Sequence, residues 1–228
     1  MNGIIPEKYI TKVGIPESYT LIEDIIKRKI KNCVGKIDYG ETTGSCCFVN
    51  FNKLNMKSIL TNNHVISKET LELCNKINII INGKTEEINL KKVRAIYSSE
   101  KLDFTVIQIL ESDNIDNYLE IDDSILTSDY NDAFIYSLQF PEGKELKMDN
   151  GKIVKIKKDF FFHSISTLNG SSGSPLLLEN HKIIGIHQGG FLNTKNNRGI
   201  FMKGIILEIL ESNLKPIKES CIKIFFYL

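Results

Sequence analysis

The 228-residue sequence predicts an all-β protein made of two six-stranded antiparallel β-barrels, with a helix near each end. Three observations carry that prediction. Short apolar runs split by turn residues recur through 33–110 and again through 133–203. Apolar residues at helical spacing are confined to about 20–31 and 202–213. Between the two β-rich stretches, residues 111–132 carry eight acidic side chains and no basic one, as a connection would.

In chain order, residues 1–17 hold Pro6, Gly14 and Pro16 and form an irregular arm. Thr20 and Glu23 then make a capping box, and Leu21, Ile22, Ile25, Ile26 and Ile30 line one face of the first helix. Its other face carries Lys27, Arg28, Lys29 and Lys31, a charge run suited to solvent. Strands of the first barrel are expected at 33–38, 45–51, 57–61, 77–81, 86–97 and 104–110. Gly40, Asn52-Lys53, Asn82-Gly83 and Ser98-Ser99 supply the breaks. The second barrel should use 133–139, 144–148, 151–158, 160–166, 175–179, 182–187 and 199–203. Its turns fall at Pro141-Glu142-Gly143, Asn150-Gly151, Glu179-Asn180 and 193–197. From Met202 the pattern is helical again, with Ile205, Ile206, Ile209 and Leu210 on one stripe. The expected units are an arm and helix over 1–32, a barrel over 33–115, an acidic solvated linker over 116–132, a barrel over 133–203, and a helix and tail over 204–228. The tail ends Ile222-Lys223-Ile224-Phe225-Phe226-Tyr227-Leu228, too short for a bilayer and suited to packing on the domain or a partner.

Composition excludes several functions. A net charge of +1 gives no global field for nucleic acid or a membrane surface. The first residues lack a basic start followed by an apolar run, so no signal peptide is expected, and no apolar stretch has the length of a membrane span. The five cysteines are odd in number, without CxxC spacing or a nearby His cluster. Free thiols in a reducing, cytoplasmic setting, with no structural metal, are the simplest account.

The chemistry is concentrated in Leu168-Asn169-Gly170-Ser171-Ser172-Gly173-Ser174-Pro175. Glycines on both sides and a closing proline disfavour helix and central strand, so the run should be a tight turn that presents Ser172. An exposed hydroxyl with N–H groups free to meet a developing negative oxygen is what nucleophilic acyl transfer needs. On these eight residues alone a plain surface turn fits equally well. The other requirement is a base. His181 follows Glu179-Asn180 at a hairpin tip, where it should be exposed and inert. His163 sits in the aromatic run Phe160-Phe161-Phe162 and should be structural. His64 instead leaves the strand Ser58-Ile59-Leu60-Thr61 through Asn62-Asn63, so a sheet would hold it while it faces a cleft. Asp103 opens the apolar strand 104–110 and is the candidate to orient the imidazole. Each residue singly has an ordinary structural role open to it. In the order His, Asp, Ser, spread over two β-rich halves, they fit a catalytic triad.

With those residues in view, the chain resembles the chymotrypsin-fold (trypsin-like) serine peptidases. Leu60-Thr61-Asn62-Asn63-His64-Val65 is similar to that family's histidine segment, Leu102-Asp103-Phe104-Thr105-Val106 to its aspartate strand, and Gly170 to Pro175 to its nucleophile turn. Thr43-Gly44-Ser45 before Cys46-Cys47-Phe48-Val49 looks like the small-residue strand ahead of the histidine. The Gly-x-Ser-Gly-Ser-Pro form is nearer to the glutamyl endopeptidases and HtrA-type relatives than to the digestive enzymes. The resemblance implies a cofactor-free serine endopeptidase acting on polypeptide, with His64, Asp103 and Ser172 catalytic and the N–H groups of Gly170 and Ser172 as the oxyanion hole. It also implies that Thr167 and His187, at their offsets from Ser172, line a pocket for Glu, Gln or Asp. A His187 that must be protonated to meet Glu would make Glu cleavage fall at high pH relative to Gln. The edge Gln188-Gly189-Gly190 would then pair with substrate backbone. Two departures matter. Val65 replaces the disulfide-forming cysteine of secreted trypsins. Ser171 stands where those enzymes have the aspartate that receives a new N-terminus, so the oxyanion turn must be held another way. The competing function is a catalytically inactive trypsin-like fold used as a protein-binding module.

Overall fold

A computed structural model describes residues 28–40, 42–190 and 196–214. The N-terminal arm, most of the first helix, and the tail therefore lie outside the described residues, as does Cys221. Residues 28–31 are helical, and Ile30 on the expected apolar face is buried.

The first half contains β1 (Val34–Tyr39), β2 (Thr42–Phe51), β3 (Met56–Thr61), β4 (Lys76–Ile81), β5 (Lys84–Asn89), β6 (Ile96–Ser99), β7 (Phe104–Gln108) and the short β8 (Leu119–Glu120), with α1 (Lys68–Leu73) after β3. The sheet runs β5-β4-β1-β2-β3-β7-β6, and β8 adds in parallel to β2. The expected first barrel of six strands is thus a half-barrel whose ladder does not close. The strand expected at 86–97 divides, because Arg94 interrupts it. The guanidinium sits inside the gap and donates to the carbonyls of Asn89 and Gln108 and to both carboxylate oxygens of Asp113, at 2.8–3.2 Å. With Arg94 and Asp113 almost fully buried, a charge pair takes the place of ladder bonds at the seam.

The second half is a closed barrel, β10-β11-β14-β13-β12-β9. Its strands are β9 (Phe134–Gln139), β10 (Lys147–Ile156), β11 (Phe160–His163), β12 (Pro175–Leu178), β13 (Ile183–Gly190) and β14 (Asn197–Phe201), followed by α2 (Met202–Leu214). The turn expected at Asn150-Gly151 is absent among these residues. Asn150 and Gly151 pair with Tyr136 and Ile135 inside an unbroken β10, since β9 offers ladder partners on both sides. On α2, Ile205, Ile206 and Ile209 are buried as expected, while Leu210 is on the exposed rim.

Alternation along the strands explains the two cores. In β2, Cys46 and Phe48 face a core inside the half-barrel with Ile37, Ile59, Ile79 and Ile107. Cys47 and Val49 face the opposite way, into a larger core shared with the closed barrel through Leu60, Val106, Leu138, Leu176 and Ile186. A strand covered on both faces needs apolar residues at every position, which is the composition of β2.

The acidic connection is not a solvated linker. Ile115, Leu119, Ile125 and Tyr130 are buried, and Ile121 bridges to Ile183. Of its acids, Asp113 closes the seam, and Asp122 accepts the Tyr130 hydroxyl at 2.6 Å. Seven of the 22 residues over 111–132 are apolar, enough to lay the segment across the junction of the two halves.

Candidate active site

His64 lies in the turn that follows β3, where Val65 and Ile66 both donate to the carbonyl of Asn62. Asp103 immediately precedes β7, with φ of 58°, a left-handed conformation uncommon for a residue with a side chain. Because β3 and β7 are hydrogen-bonded neighbours, these two strand ends bring the residues together. The Nδ1 of His64 is 2.8 and 3.0 Å from the two Asp103 carboxylate oxygens, and the His64 backbone N–H donates to Oδ1 at 2.9 Å. The Asn62 side chain donates to the Asp103 carbonyl at 3.0 Å, which fixes the strained backbone. Burial alone would raise the Asp103 pKa. The hydrogen bonds and charge of His64, with the amide of Gln188, outweigh that and hold the carboxyl below its ordinary value.

Ser172 is presented by the loop before β12, and its carbonyl accepts the Ser45 N–H of β2 at 2.7 Å. Its hydroxyl donates to the Gln188 carbonyl at 3.2 Å, so in this resting arrangement it is turned to β13 and not to the imidazole. Gly170 and Gly173 flank it with φ of 89° and 87°. A Cβ on Gly173 would fall 2.1 Å from the Ser45 carbonyl oxygen, so both the torsion and the space there require glycine. Among the described residues, the N–H groups of Gly170 and Ser172 make no backbone hydrogen bond, whereas their neighbours Ser171, Gly173 and Ser174 all do.

His187 is on β13, 2% exposed, and held to the Ser172 loop by its carbonyl from Gly173 N–H and its N–H to the Ser174 carbonyl. Its Nδ1 is 3.2 Å from Nε2 of His163, which is fully buried on β11. This pairing is not legible in the sequence, because the two rings meet only through the β11–β14–β13 ladder. Burial pushes both imidazoles down, His163 to about 4 and His187 to about 3, the latter helped by His163 and His64. Both are therefore neutral near pH 7. Thr167 is half-buried in the loop leading to Ser172. His181 is half-buried instead of exposed, with its Nδ1 2.6 Å from the Tyr136 hydroxyl.

Gln188 does not line a pocket with its side chain. Its Nε2 donates to Asp103 Oδ2 at 2.8 Å, a role that a β-bulge between His187 and Gly189 makes possible. Gly189 and Gly190 pair on one side with Arg198 and Asn197 of β14. Among the described residues, a Cβ at Gly189 would meet nothing within 4 Å. No cluster suited to a metal ion occurs among the described residues.

Comparison with known proteins agrees with this architecture. A glutamyl endopeptidase of Staphylococcus epidermidis is 33% identical over 67 residues, 29% of this chain and 23% of that protein, so the match spans under a quarter of the relative. A protease of Mycobacterium tuberculosis in its active form superposes with a TM-score of 0.64 at 13% identity, covering 87% of this chain and 88% of that one. A Glu endopeptidase structure gives 0.60 at 19% identity, over 80% and 90% of the respective chains. The trypsin-like peptidase domain matches residues 44–186, a span that runs from the start of the buried part of β2 through His64, Asp103 and Ser172. By that match, over more than half its length, the chain belongs to the family of trypsin-like peptidase domains.

Proposed function

We propose that the protein is a serine endopeptidase that cleaves polypeptides through Ser172, His64 and Asp103. The observation that carries this is the Asp103 carboxylate against Nδ1 of His64. It fixes the proton on Nδ1 and leaves Nε2 unprotonated, the tautomer a general base needs. Rotation of the Ser172 hydroxyl from Gln188 to Nε2 readies the nucleophile. As Oγ bonds to the scissile carbonyl carbon, its proton passes to His64, and the carbonyl oxygen becomes negative. The N–H groups of Gly170 and Ser172 receive that oxygen. His64 then protonates the departing amine, and water repeats the sequence on the acyl-enzyme, restoring Ser172. Asp103 stays ionised and stabilises the transient imidazolium.

The same reading assigns the P1 pocket to His187 and Thr167, with Glu preferred over Gln and Asp. The histidine pair supports it. If His163 donates from Nε2 to His187 Nδ1, then His187 carries its own proton on Nε2, available to a substrate carboxylate. The atom left without a partner in this tautomer is the buried Nδ1 of His163, as an acceptor. The reverse tautomer would strand an N–H there, which folded proteins avoid more strictly. Because the pair is neutral, a carboxylate is met by charge-assisted hydrogen bonds without prior protonation. The ratio of Glu to Gln cleavage should then be flat across pH 6–9, in place of the fall expected for a protonated His187. The free thiols of Cys33, Cys46, Cys47 and Cys74 support a reducing, cytoplasmic setting.

Fluorophosphonate labelling of wild type and Ser172→Ala tests the activity. Labelling of wild type alone is expected, and equal labelling would return the chain to a binding role. Peptide-library cleavage with wild type and His187→Ala tests the pocket, and an unchanged P1 preference would remove it.

A further inference from the structure

In the absence of an aspartate at position 171, something else must hold the oxyanion turn, and we infer that the hydroxyl of Ser45 does so, as a positioning residue reaching across from the half-barrel. The inference rests on Ser172 being the nucleophile. A trans peptide is planar, with its C=O and N–H pointing in opposite directions, so the partner of each carbonyl aims the N–H on the far side of the same plane. Three successive planes lie between Asn169 and Ser172. The Asn169 carbonyl accepts Glu142 N–H at 2.5 Å, which turns the Gly170 N–H the other way. The Ser171 carbonyl accepts Ser174 N–H at 3.1 Å, which does the same for the Ser172 N–H. The plane between them is fixed at one end by Ser171 N–H on the Leu168 carbonyl at 3.1 Å. At its other end, the Gly170 carbonyl accepts the Ser45 hydroxyl at 2.8 Å. Without the Ser45 hydroxyl this middle plane keeps a single anchor, and the two outer planes that are joined through it are held less firmly.

Ser45 is built for the task. It is fully buried in β2, with no water to compete for its hydroxyl. A hydroxyl has one proton and two lone pairs. The proton goes to Gly170, and a lone pair receives Phe140 N–H at 3.2 Å from the loop that also supplies Glu142. The backbone of Ser45 is committed to the same place. Its N–H donates to the Ser172 carbonyl at 2.7 Å, and its carbonyl accepts the Thr61 hydroxyl at 2.8 Å, at the end of the strand leading to His64. One residue therefore ties the oxyanion loop, the 140–143 loop and the histidine strand together. Loop 140–143 is itself tied to the half-barrel by Lys36, whose Nζ donates to the Gly143 carbonyl at 3.0 Å.

The test is kinetic, with Ser45→Ala, which loses only the hydroxyl, and Ser45→Gly, which loses the Cβ as well; both keep the backbone N–H. On a peptide that wild type cleaves, kcat should fall about 10–100-fold, less than the loss of a direct oxyanion donor, while KM stays within about twofold. The fluorophosphonate inactivation rate should fall in proportion to kcat, because the phosphoryl oxygen occupies the same N–H pair as Ser172 Oγ bonds to phosphorus and fluoride departs. The two variants give the answer independently if one of them does not fold. Unchanged kcat in a folded variant overturns the inference, and so does a rise in KM matching the loss in kcat, which would mean general loosening of the cleft. Failure of wild-type Ser172 to react at all is a separate result, seen without any Ser45 variant, and it overturns the nucleophile assignment and this inference together.

Discussion

Gln188 touches both ends of the proposed proton path: its side-chain amide donates to Asp103 Oδ2 at 2.8 Å, and its carbonyl receives the Ser172 hydroxyl at 3.2 Å. The amide shares the negative charge of Asp103 with His64. Replacing Gln188 by Met removes that share and leaves more of the charge to stabilise a protonated imidazole. The acid limb of kcat/KM should move to higher pH, with activity at its optimum reduced up to about tenfold. A pH–rate profile superimposable on wild type would show that the amide does not bear on the base.

The neutral pair His163–His187 makes stability depend on pH. Both folded values, about 4 and about 3, lie below the ordinary 6.5, so the unfolded chain binds more protons as pH falls. Their contribution is complete above pH 6.5 and is lost progressively below it, down to about pH 4 for His163 and about pH 3 for His187. Each ring should steepen the loss by about 1.4 kcal/mol per pH unit in that window. Denaturant unfolding at pH 7, 6 and 5 should therefore give a shallower pH dependence for His163→Asn than for wild type. Parallel curves would mean that burial of this ring is not what sets acid stability.

At the seam of the half-barrel, Arg94→Met leaves Asp113 buried without its cation and should cost about 3–5 kcal/mol. Adding Asp113→Leu should recover about half or more of that, since an apolar pair removes the unmet charge. A double variant no better than Arg94→Met would show that the bonds from Arg94 to the Asn89 and Gln108 carbonyls matter more than the pairing.

Three of the described thiols are buried, and burial pushes them up, Cys33 to about 12 and Cys46 and Cys47 likewise upward. They should resist iodoacetamide in the native protein while the half-buried Cys74 is alkylated, as mass spectrometry of digests would read. Activity should be indifferent to dithiothreitol. Loss of activity in reductant would require a disulfide that the described residues do not contain.

Much of this organisation was legible in the sequence. The strand and turn alternation located the strands of the closed barrel, except that β10 runs unbroken through the turn expected at Asn150-Gly151, and the order His64, Asp103, Ser172 singled out two residues, His64 and Asp103, that do meet. What escaped it depends on contacts between distant segments. An arginine inside an expected strand gives no hint that it will break that strand and pair with Asp113. Acidic residues at 111–132 masked the apolar ones that lay the segment into the core. Gln188 belongs by position to an edge expected to pair through its backbone, and that gives no hint that its side-chain amide reaches Asp103. His163 could have been suspected from its fixed place on a barrel strand, yet only the ladder order sets it beside His187.

The closed barrel bears Ser172, whereas His64 and Asp103 hang from a sheet whose outer strands are β5 and β6. A cylinder of hydrogen bonds opens only as a whole; a sheet with two margins can peel from either one. Under the mechanism proposed above, mild heat or denaturant should therefore separate His64 and Asp103 from Ser172 while Ser172 still sits on an intact scaffold. Turnover is then a more sensitive gauge of the weaker half than any signal averaged over the whole chain.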